Sequence, residues 1–274
     1  MCYYNGQKVS HEEWIRLKNL EKLVANYDFL NRDLHDGFAY GNIVVLKPQV
    51  GKPDFDIVQM EWGFVPDTWF GKLLDTREKV EQWRGGYKNE QGKFIPGITT
   101  LNAMSEEMLL PNKIYRSSAL ERRCLVLSSG FFEWRHFFPL NKRTGEPLKT
   151  SLKIPHYITI KGKPYFFMGG IYKPWTDKAT GETVDTVSIV TTAAPEGHLM
   201  AKVHNSKMRM PSILNEDLAY EWIFDLMDEE RITEIAKTQF PSDQMEACTI
   251  AKDFKTALEP TAPFEYEDVP ALEF

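Results

Sequence analysis

The sequence predicts an α+β protein with one domain that is rich in antiparallel strands. Runs of β-branched and aromatic residues at 42–47, 123–135 and 164–172 are bounded by glycine, proline or polar residues, as strands are. Helical periodicity is confined to a few separate segments, and no internal repeat or linker divides the chain. With 274 residues the chain is long enough to bury a substantial core. Together these observations favour the α+β class.

The first predicted element is an amphipathic helix. Ser10, with Glu13 three residues later, forms a variant of the capping box. Apolar side chains then recur at helical spacing, at Trp14, Leu17, Leu20 and Val24. Two strands are predicted next, at 42–47 and 55–62, followed by a loop containing Gly and Pro at 62–69. A helix at 72–83 and a polar loop at 85–97 come after it.

Most of the remaining strands are predicted between residues 123 and 193. A helical stretch is predicted after Thr100-Leu101-Asn102-Ala103 and through about residue 120, and we expect it to break at Pro111. The apolar residues 123–135 predict a buried strand pair, followed by a polar excursion. Three further strands are predicted at 156–160, 164–172 and 184–193, and a turn at Lys161-Gly162-Lys163 is expected to join the first two as a hairpin.

The carboxyl-terminal part is predicted to be helical and then weakly ordered. A short helix at 195–200 precedes a polar loop at 202–211, and 215–237 supplies one or two helices. Because the last residues are acidic and contain proline, we expect one domain at 1–258 and a weakly ordered tail at 259–274.

Composition argues against several classes of protein. The formal net charge of -6 argues against indiscriminate nucleic-acid binding, although it allows a local basic groove. Three cysteines are too few for a disulfide framework and match no zinc spacing, which indicates reduced thiols. The longest apolar run, 164–172, is too short to span a bilayer, and residues 1–10 lack the pattern of a signal peptide. We therefore expect a cytoplasmic monomer without a metal, a cofactor or a membrane partner.

Cys2 is the candidate nucleophile, provided that Met1 is removed. It would then carry an α-amine with a pKa of about 7.7 and a thiol with a pKa of about 8.5 on adjacent carbons. Such a 1,2-aminothiol captures an aldehyde as a Schiff base, and its thiol then closes a thiazolidine ring. It can also act as an ordinary cysteine nucleophile.

Three further polar residues are candidates for chemistry. Glu133 lies between aromatic residues on a predicted strand, where desolvation would raise its pKa, although a strand glutamate can also face water. His204, in a loop with Lys207 and Arg209, is either a general acid or base or an exposed histidine. Asn102 either orients a nucleophile or caps the following helix.

Aromatic and basic side chains suggest contact with DNA. Trp69 ends a loop rich in aromatic residues and is the better candidate in that loop for stacking on exposed bases. For Trp62, a place in the hydrophobic core fits the sequence at least as well as a place at the surface. Lys207 and Arg209 are candidates for phosphate contacts.

The ordered blocks of the chain resemble the SOS response-associated peptidase (SRAP) family. These blocks are Met1-Cys2, Trp62-Gly63-Phe64-Val65-Pro66 with Trp69, Leu101-Asn102-Ala103, Gly130-Phe131-Phe132-Glu133-Trp134, Val190-Thr191-Thr192-Ala193, and His204 ahead of Arg209-Met210-Pro211. The resemblance implies one β-rich α+β domain, with antiparallel sheets in a barrel-like core and flanking helices. It also implies a positively charged groove for single-stranded DNA.

The resemblance further implies a role for each candidate residue. Cys2 matches the residue that forms a thiazolidine with the ring-opened aldehyde of an abasic site, after autocatalytic or aminopeptidase removal of Met1. Asn102 matches the residue that positions the nucleophile, Glu133 the proton-transfer carboxylate, and His204 the histidine that assists opening of the sugar. The implied function is shielding of abasic sites in DNA repair and the SOS response, with peptidase and lyase chemistry at the same site and association with the nucleoid when bound to DNA.

This chain departs from the family pattern at three places. Tyr3-Tyr4 replaces the usual Gly-Arg, Met104 replaces an arginine after Asn102-Ala103, and no Tyr-Asn-x-x-Pro segment occurs near 37–42. The lost arginines bear on DNA binding more than on covalent chemistry, and Lys207 is a candidate to compensate. Two alternatives stay open: a thiol peptidase acting on other proteins through Cys2, and a single-strand binding module whose cysteine is incidental.

Overall fold

Two β-sheets contain most of the strands of this protein. The computed structural model describes residues 2–272. Within that range the strands are β1 Tyr4–Lys8, β2 Trp14–Leu17, β3 Leu20–Leu23, β4 Asn31–Asp36, β5 Asn42–Pro48, β6 Phe55–Trp62, β7 Thr68–Trp69, β8 Lys72–Leu73, β9 Tyr87–Lys88, β10 Phe94–Ile95, β11 Asn102–Met104, β12 Arg123–Ser128, β13 Gly130–Phe137, β14 Leu152–Ile160, β15 Phe166–Thr176, β16 Thr183–Ala193, β17 Arg209–Pro211, β18 Ile213–Leu214 and β19 Met245–Thr249. The α-helices are α1 Arg77–Gly85, α2 Arg116–Glu121, α3 Leu199–Val203, α4 Glu216–Phe224 and α5 Glu229–Ala236.

One sheet is open and the other closes on itself. The first sheet is antiparallel and has the order β19-β14-β13-β1-β4. The second has eight strands in the order β11-β16-β6-β5-β12-β15-β18, with β17 paired to β16. Because β16 also pairs with β15, the strands β16, β6, β5, β12 and β15 form a closed ring. This confirms the predicted α+β fold with a barrel-like core and flanking helices. Most strand pairs are antiparallel, as predicted, whereas β6–β16 and β11–β16 are parallel.

Residues that alternate along the ring strands enter two different cores. Val44 and Leu125 pack in one cluster with the apolar residues of β2, α4 and α5. Ile43 and Val126 pack in the other cluster, which includes Phe131 of the first sheet and Cys2. Because side chains alternate between the faces of a strand, each ring strand contributes to both clusters. The second cluster lies between the two sheets, and the predicted nucleophile is part of it.

The predicted amphipathic helix after Ser10 is wrong, because this segment forms the hairpin β2–β3. Trp14 pairs with Leu23, and Lys18 occupies the turn with a φ of 54°. Ile15 and Leu17 are fully buried, which is the two-residue period of a strand rather than a helical period. Burial of this strand face in the first cluster outweighs the local helical signal.

The turn at Lys161-Gly162-Lys163 does not join two paired strands, so the predicted hairpin is also wrong. β14 pairs with β13 and β19, whereas β15 pairs with β12, β16 and β18. The turn therefore carries the chain from the first sheet to the second. A turn sequence indicates a reversal of direction, but the strand partners depend on the fold as a whole.

Other predicted elements are confirmed with altered bounds. The strands predicted at 42–47, 55–62, 123–135 and 184–193 are present, and 215–237 contains α4 and α5. The stretch predicted to be helical after Asn102 is helical only in α2, because Asn102–Met104 pairs in parallel with β16 as β11. The predicted helix at 72–83 begins at Arg77, where Thr76 caps it.

The carboxyl-terminal segment lies beside β19 as far as it is described. Thr249 donates a hydrogen bond to the carbonyl of Phe264 at 2.7 Å, and Tyr266 donates to the carbonyl of Ile250 at 2.7 Å. The domain boundary at residue 258 and the weak order of the tail stay predictions. Among residues 2–272, no helix has both the length and the apolar character needed to cross a membrane.

Candidate active site around Cys2

Cys2 lies two residues before β1, an interior strand of the first sheet. Its side chain is fully buried, and the Sγ atom donates a weak hydrogen bond to the carbonyl of Tyr4 at 3.7 Å. Burial, with a further contribution from the charge of Glu133, raises the pKa of the Cys2 thiol well above its usual range. The thiol is therefore neutral at physiological pH in this arrangement. Met1, and with it the predicted removal of that residue, lies outside the described residues.

Asn102 fixes the main chain of the nucleophile. Its Nδ2 atom donates a hydrogen bond to the main-chain carbonyl of Cys2 at 2.9 Å. The main-chain carbonyl of Asn102 accepts a hydrogen bond from the Tyr115 hydroxyl at 3.2 Å. Within residues 2–272 no donor satisfies the buried Asn102 Oδ1 atom. A buried acceptor without a donor costs about 1 to 3 kcal/mol, so this oxygen is suited to a group that arrives with a substrate. The interpretation of Asn102 as a helix cap is wrong, because the residue lies in β11.

Glu133 is a buried carboxylic acid with a perturbed pKa. It lies in β13 on the same side as Phe131, and only 4% of its surface is exposed. Desolvation by burial raises the pKa of Glu133 to about 7. The alternative in which Glu133 faces water is therefore wrong. An acid with this pKa can both give and take a proton near neutral pH.

His204 lies beside Glu133 at the end of α3. It is buried, and its Nδ1 atom lies 3.9 Å from Oε1 of Glu133 and 3.1 Å from the carbonyl of Arg209. Because a carbonyl oxygen only accepts hydrogen bonds, the short contact assigns the proton to Nδ1 and leaves Nε2 as an acceptor. Burial lowers the pKa of His204 to about 4, so the ring is neutral at physiological pH.

The loop that follows His204 is attached to β13. The side chain of Asn205 accepts a hydrogen bond from the main-chain nitrogen of His136 at 2.9 Å and donates one to its carbonyl at 2.9 Å. This pair of bonds mimics a β-bridge and holds the His204 loop against the strand that carries Glu133.

An open cleft of about 370 Å³ reaches Glu133 and His204 from the surface. Its lining residues are Tyr3, Tyr4, Phe38, Glu133, Trp134, His136, Lys153, His204, Ser206 and Lys207. A larger cavity of about 600 Å³ lies between β19 and residues 263–272 and contains none of the predicted reactive residues. The smaller cleft is the candidate site because the perturbed acid and base lie in it.

The three predicted DNA contacts lie in different environments. Lys207 is exposed and lines the cleft. Trp69 is half-buried and packs on Trp83, with ring centroids 5.7 Å apart. The guanidinium of Arg209 donates hydrogen bonds to Glu106 at 2.9 Å and to the carbonyl of Thr191 at 2.7 Å. This geometry gives Arg209 a role in holding β17, and a phosphate contact through it stays a prediction.

Several residues of the cleft were not predicted from the sequence. His136 and Lys153 face each other across β13 and β14, and Tyr3 and Phe38 meet through the pairing of β1 with β4. Only Tyr3, as the neighbour of Cys2, had a signal in the sequence. Among residues 2–272, no group of three or more His, Cys, Asp and Glu side chains could hold a metal ion.

Comparisons with known proteins identify relatives of this chain. A family model described as SOS response associated peptidase (SRAP) matches residues 36–257, a range that contains Asn102, Glu133 and His204 but not Cys2. The abasic site processing protein YoqW of Bacillus subtilis is 28% identical over 155 residues, 57% of this chain and 61% of that protein. The abasic site processing protein HMCES of Gallus gallus is 28% identical over 179 residues, 61% of this chain and 45% of that protein.

A solved structure extends the similarity over nearly the whole chain. A protein from Bacteroides thetaiotaomicron superposes with a TM-score of 0.68 and 25% identity, covering 96% of this chain and 97% of that one. The chain matches less than two thirds of the length of the curated relatives named above. The family model nevertheless covers most of the sequence. This chain therefore belongs to the SOS response associated peptidase (SRAP) family.

Proposed function

We propose that this protein binds single-stranded DNA at abasic sites and forms a covalent thiazolidine with the lesion through Cys2, once Met1 has been removed by the protein itself or by an aminopeptidase. The observation that carries the proposal is the position of Glu133 and His204, with opposite pKa shifts, in one cleft beside the buried Cys2 segment. Membership of the family supports it, as do relatives named abasic site processing proteins.

The first step is opening of the sugar. An abasic site is mostly a closed hemiacetal, and only its open form presents the C1′ aldehyde. Opening removes the proton of the C1′ hydroxyl and delivers a proton to the ring oxygen. Neutral His204 can accept the first proton, because its pKa of about 4 keeps the ring neutral near neutral pH. Protonated Glu133 can supply the second, because its pKa of about 7 leaves a substantial fraction of the carboxyl protonated there.

The second step is capture of the aldehyde. The free amine of Cys2 adds to C1′; its nitrogen loses a proton to the Glu133 carboxylate left by the first step, and the oxygen takes the proton held by His204, which gives a carbinolamine. The carbinolamine then loses its hydroxyl as water to form a Schiff base. The Cys2 thiol then adds to the imine carbon, its proton passes to the nitrogen, and the five-membered ring closes. One water leaves overall. Glu133 can protonate the departing hydroxyl, while the hydrogen bond from Asn102 to the Cys2 carbonyl fixes the position of the amine.

Thiol peptidase activity on other proteins is the alternative, and one observation weighs against it. Such an enzyme needs a thiolate, whereas burial raises the pKa of the Cys2 thiol. Ring closure on a Schiff base instead needs the thiol and the amine together. The two activities therefore differ in their requirement for a free amine.

The experiment is incubation of the protein with a single-stranded oligonucleotide that contains one abasic site. Denaturing electrophoresis and intact mass should give an adduct equal to the protein without Met1 plus the DNA minus one water. Cys2→Ala, Cys2→Ser and acetylation of the α-amine should each abolish it. Cys248→Ala is the matched control, because Cys248 is half-buried on β19 and does not line this cleft. Absence of a wild-type adduct, or an equal adduct with Cys2→Ala, would refute the proposal.

A further inference from the structure

The cleft has one aromatic wall and one basic wall. Phe38 and Tyr3 form the aromatic wall, with ring centroids 4.8 Å apart and planes tilted by 47°. Phe38 is 49% exposed and lines the cleft, so about half of its surface is accessible to a ligand there. The basic wall consists of Lys153, Lys207 and His136.

The aromatic wall is tied to the segment that carries the nucleophile. The nitrogen of Gly37 donates a hydrogen bond to the carbonyl of Tyr3 at 2.8 Å, and the side chain of Asp36 accepts one from the nitrogen of Phe38 at 3.0 Å. A Cβ atom at Gly37 would lie 2.9 Å from the carbonyl oxygen of Tyr3, so only glycine allows this approach. The Phe38 ring is therefore fixed relative to Cys2.

The basic wall is also held by main-chain contacts. Lys153 is the cross-strand partner of His136, and Asn205 attaches the Lys207 loop to the same His136. Within the described range, neither lysine has a carboxylate within ion-pair distance. Both positive charges are thus available to an anion in the cleft, on a protein whose formal net charge is -6.

We propose that this cleft binds the nucleotide next to the abasic site, with its base stacked on Phe38 and its phosphate bound by Lys153 and Lys207. The proposal rests on the proposed function only in placing the lesion at Cys2. An abasic site has no base of its own, so the strand can be held in register only through its backbone and the neighbouring bases. Stacking on an aromatic ring accepts any base, which suits a protein that must act in every sequence context.

The test compares two oligonucleotides that bind without reacting. One contains a single tetrahydrofuran analogue of the abasic site between natural nucleotides. The other contains three consecutive analogues, so the bases on both sides of the central analogue are missing. We expect the wild-type protein to bind the first more tightly, and Phe38→Ala to lose roughly 5- to 150-fold in affinity for the first and nothing for the second.

Two variants control this comparison. Phe38→Trp should keep the affinity for the first oligonucleotide, because it keeps a stacking face. Phe264→Ala should change neither affinity, since Phe264 is 48% exposed and packs on Tyr266 at 4.9 Å but does not line the cleft.

The phosphate contact is tested separately with Lys153→Ala. This variant should lower both affinities and reduce the slope of log affinity against log salt by about 0.7.

Equal loss on both oligonucleotides with Phe38→Ala, or equal wild-type affinity for both, would overturn the stacking role. An unchanged salt slope with Lys153→Ala would overturn the phosphate contact. Since the analogue cannot open to an aldehyde, these affinities do not depend on crosslinking. A further outcome is that the protein binds the first oligonucleotide more tightly than the second and yet forms no adduct with a true abasic site. That result would refute the thiazolidine chemistry and leave the stacking role intact.

Discussion

Replacing Glu133 by glutamine tests the proton transfer on which the proposed chemistry depends. The amide keeps the shape of the side chain but cannot give a proton. The productive state of the wild-type protein needs a protonated Glu133 and a neutral Cys2 amine. With a pKa of about 7 for Glu133, from burial, and about 7.7 for the amine, the rate of crosslinking should be bell-shaped in pH with its maximum between these values.

The magnitude follows from the populations of these states. At pH of about 7.35, roughly a tenth of the molecules carry both groups in the required state. A glutamate with an ordinary pKa of about 4.3 would be protonated roughly 300-fold less often at that pH, and its maximum would lie near pH 6. Under the proposed chemistry, burial of Glu133 should therefore raise the rate of crosslinking by roughly two orders of magnitude, and loss of the acid should slow it by about 100-fold or more.

The assay is single-turnover crosslinking at saturating abasic DNA between pH 5.5 and 9, read by denaturing electrophoresis. Glu133→Gln should lose the decline in rate at high pH and keep only the rise with deprotonation of the amine. Unfolding by urea at pH 8 provides the control. Ionisation of a buried carboxyl disfavours the folded state above its unfolded pKa, so the glutamine variant should be at least as stable as the wild type there. A wild-type maximum near pH 6, or an unchanged profile in Glu133→Gln, would refute this reasoning.

Three other outcomes can be measured directly. Burial lowers the pKa of His204 to about 4, whereas the unfolded pKa is about 6.5, so between about pH 6.5 and pH 4 the unfolded chain binds a proton that the folded chain lacks. The free energy of unfolding should therefore fall as the pH falls through this window. His204→Gln should remove about 3 kcal/mol of that fall, which urea unfolding at pH 7.5 and 4.5 can measure. Lys207→Ala should weaken binding to single-stranded DNA and lower the slope of log affinity against log salt by about 0.7. Lys142→Ala should do neither, because Lys142 is an exposed lysine outside the cleft. An unchanged slope with Lys207→Ala would count against a phosphate contact. Gly37→Ala should lower the free energy of unfolding by about 1 to 3 kcal/mol because its Cβ would lie 2.9 Å from the Tyr3 carbonyl, while Gly41→Ala, which meets no atom within 4 Å, should be nearly neutral in the same thermal denaturation experiment.

The sequence predicted strands best where they are buried on both faces. The strand predicted at 42–47 is present as β5 to within one residue, and the strand pair predicted at 123–135 is present as β12 and most of β13. The hairpin β2–β3 was missed because Trp14, Leu17, Leu20 and Val24 fit a helical period as well as a strand pattern. In that segment the choice depends on burial of Ile15 and Leu17 against distant elements, which no local pattern contains.

The sequence predicted the reactive residues of the candidate site and Lys207 of its basic wall, but not the other wall residues. Asn102, Glu133 and His204 could be selected because each is a polar group in an unusual local setting. The structure places Glu133 beside His204 and Asn102 against Cys2. The walls depend on strand register, since Lys153 reaches the cleft only because it pairs with His136. Sequence spacing alone cannot fix a register across an excursion of this length.

The interior position of β1, between β13 and β4, has a consequence for the order of folding. Asn5 pairs with His35 on one side and with Phe131 on the other, so the strand after Cys2 is complete only when a segment about 125 residues further along the chain has been made. At a synthesis rate of about 5 to 20 residues per second, the amino-terminal segment waits roughly 6 to 25 seconds on the ribosome for β13. An aminopeptidase has this interval to act on an unpaired terminus. The Cys2 segment lies beside the strand that carries Glu133 only in a molecule whose long-range pairing is complete. Under the proposed chemistry, an incompletely folded chain would therefore carry the amine and the thiol without the acid that assists them.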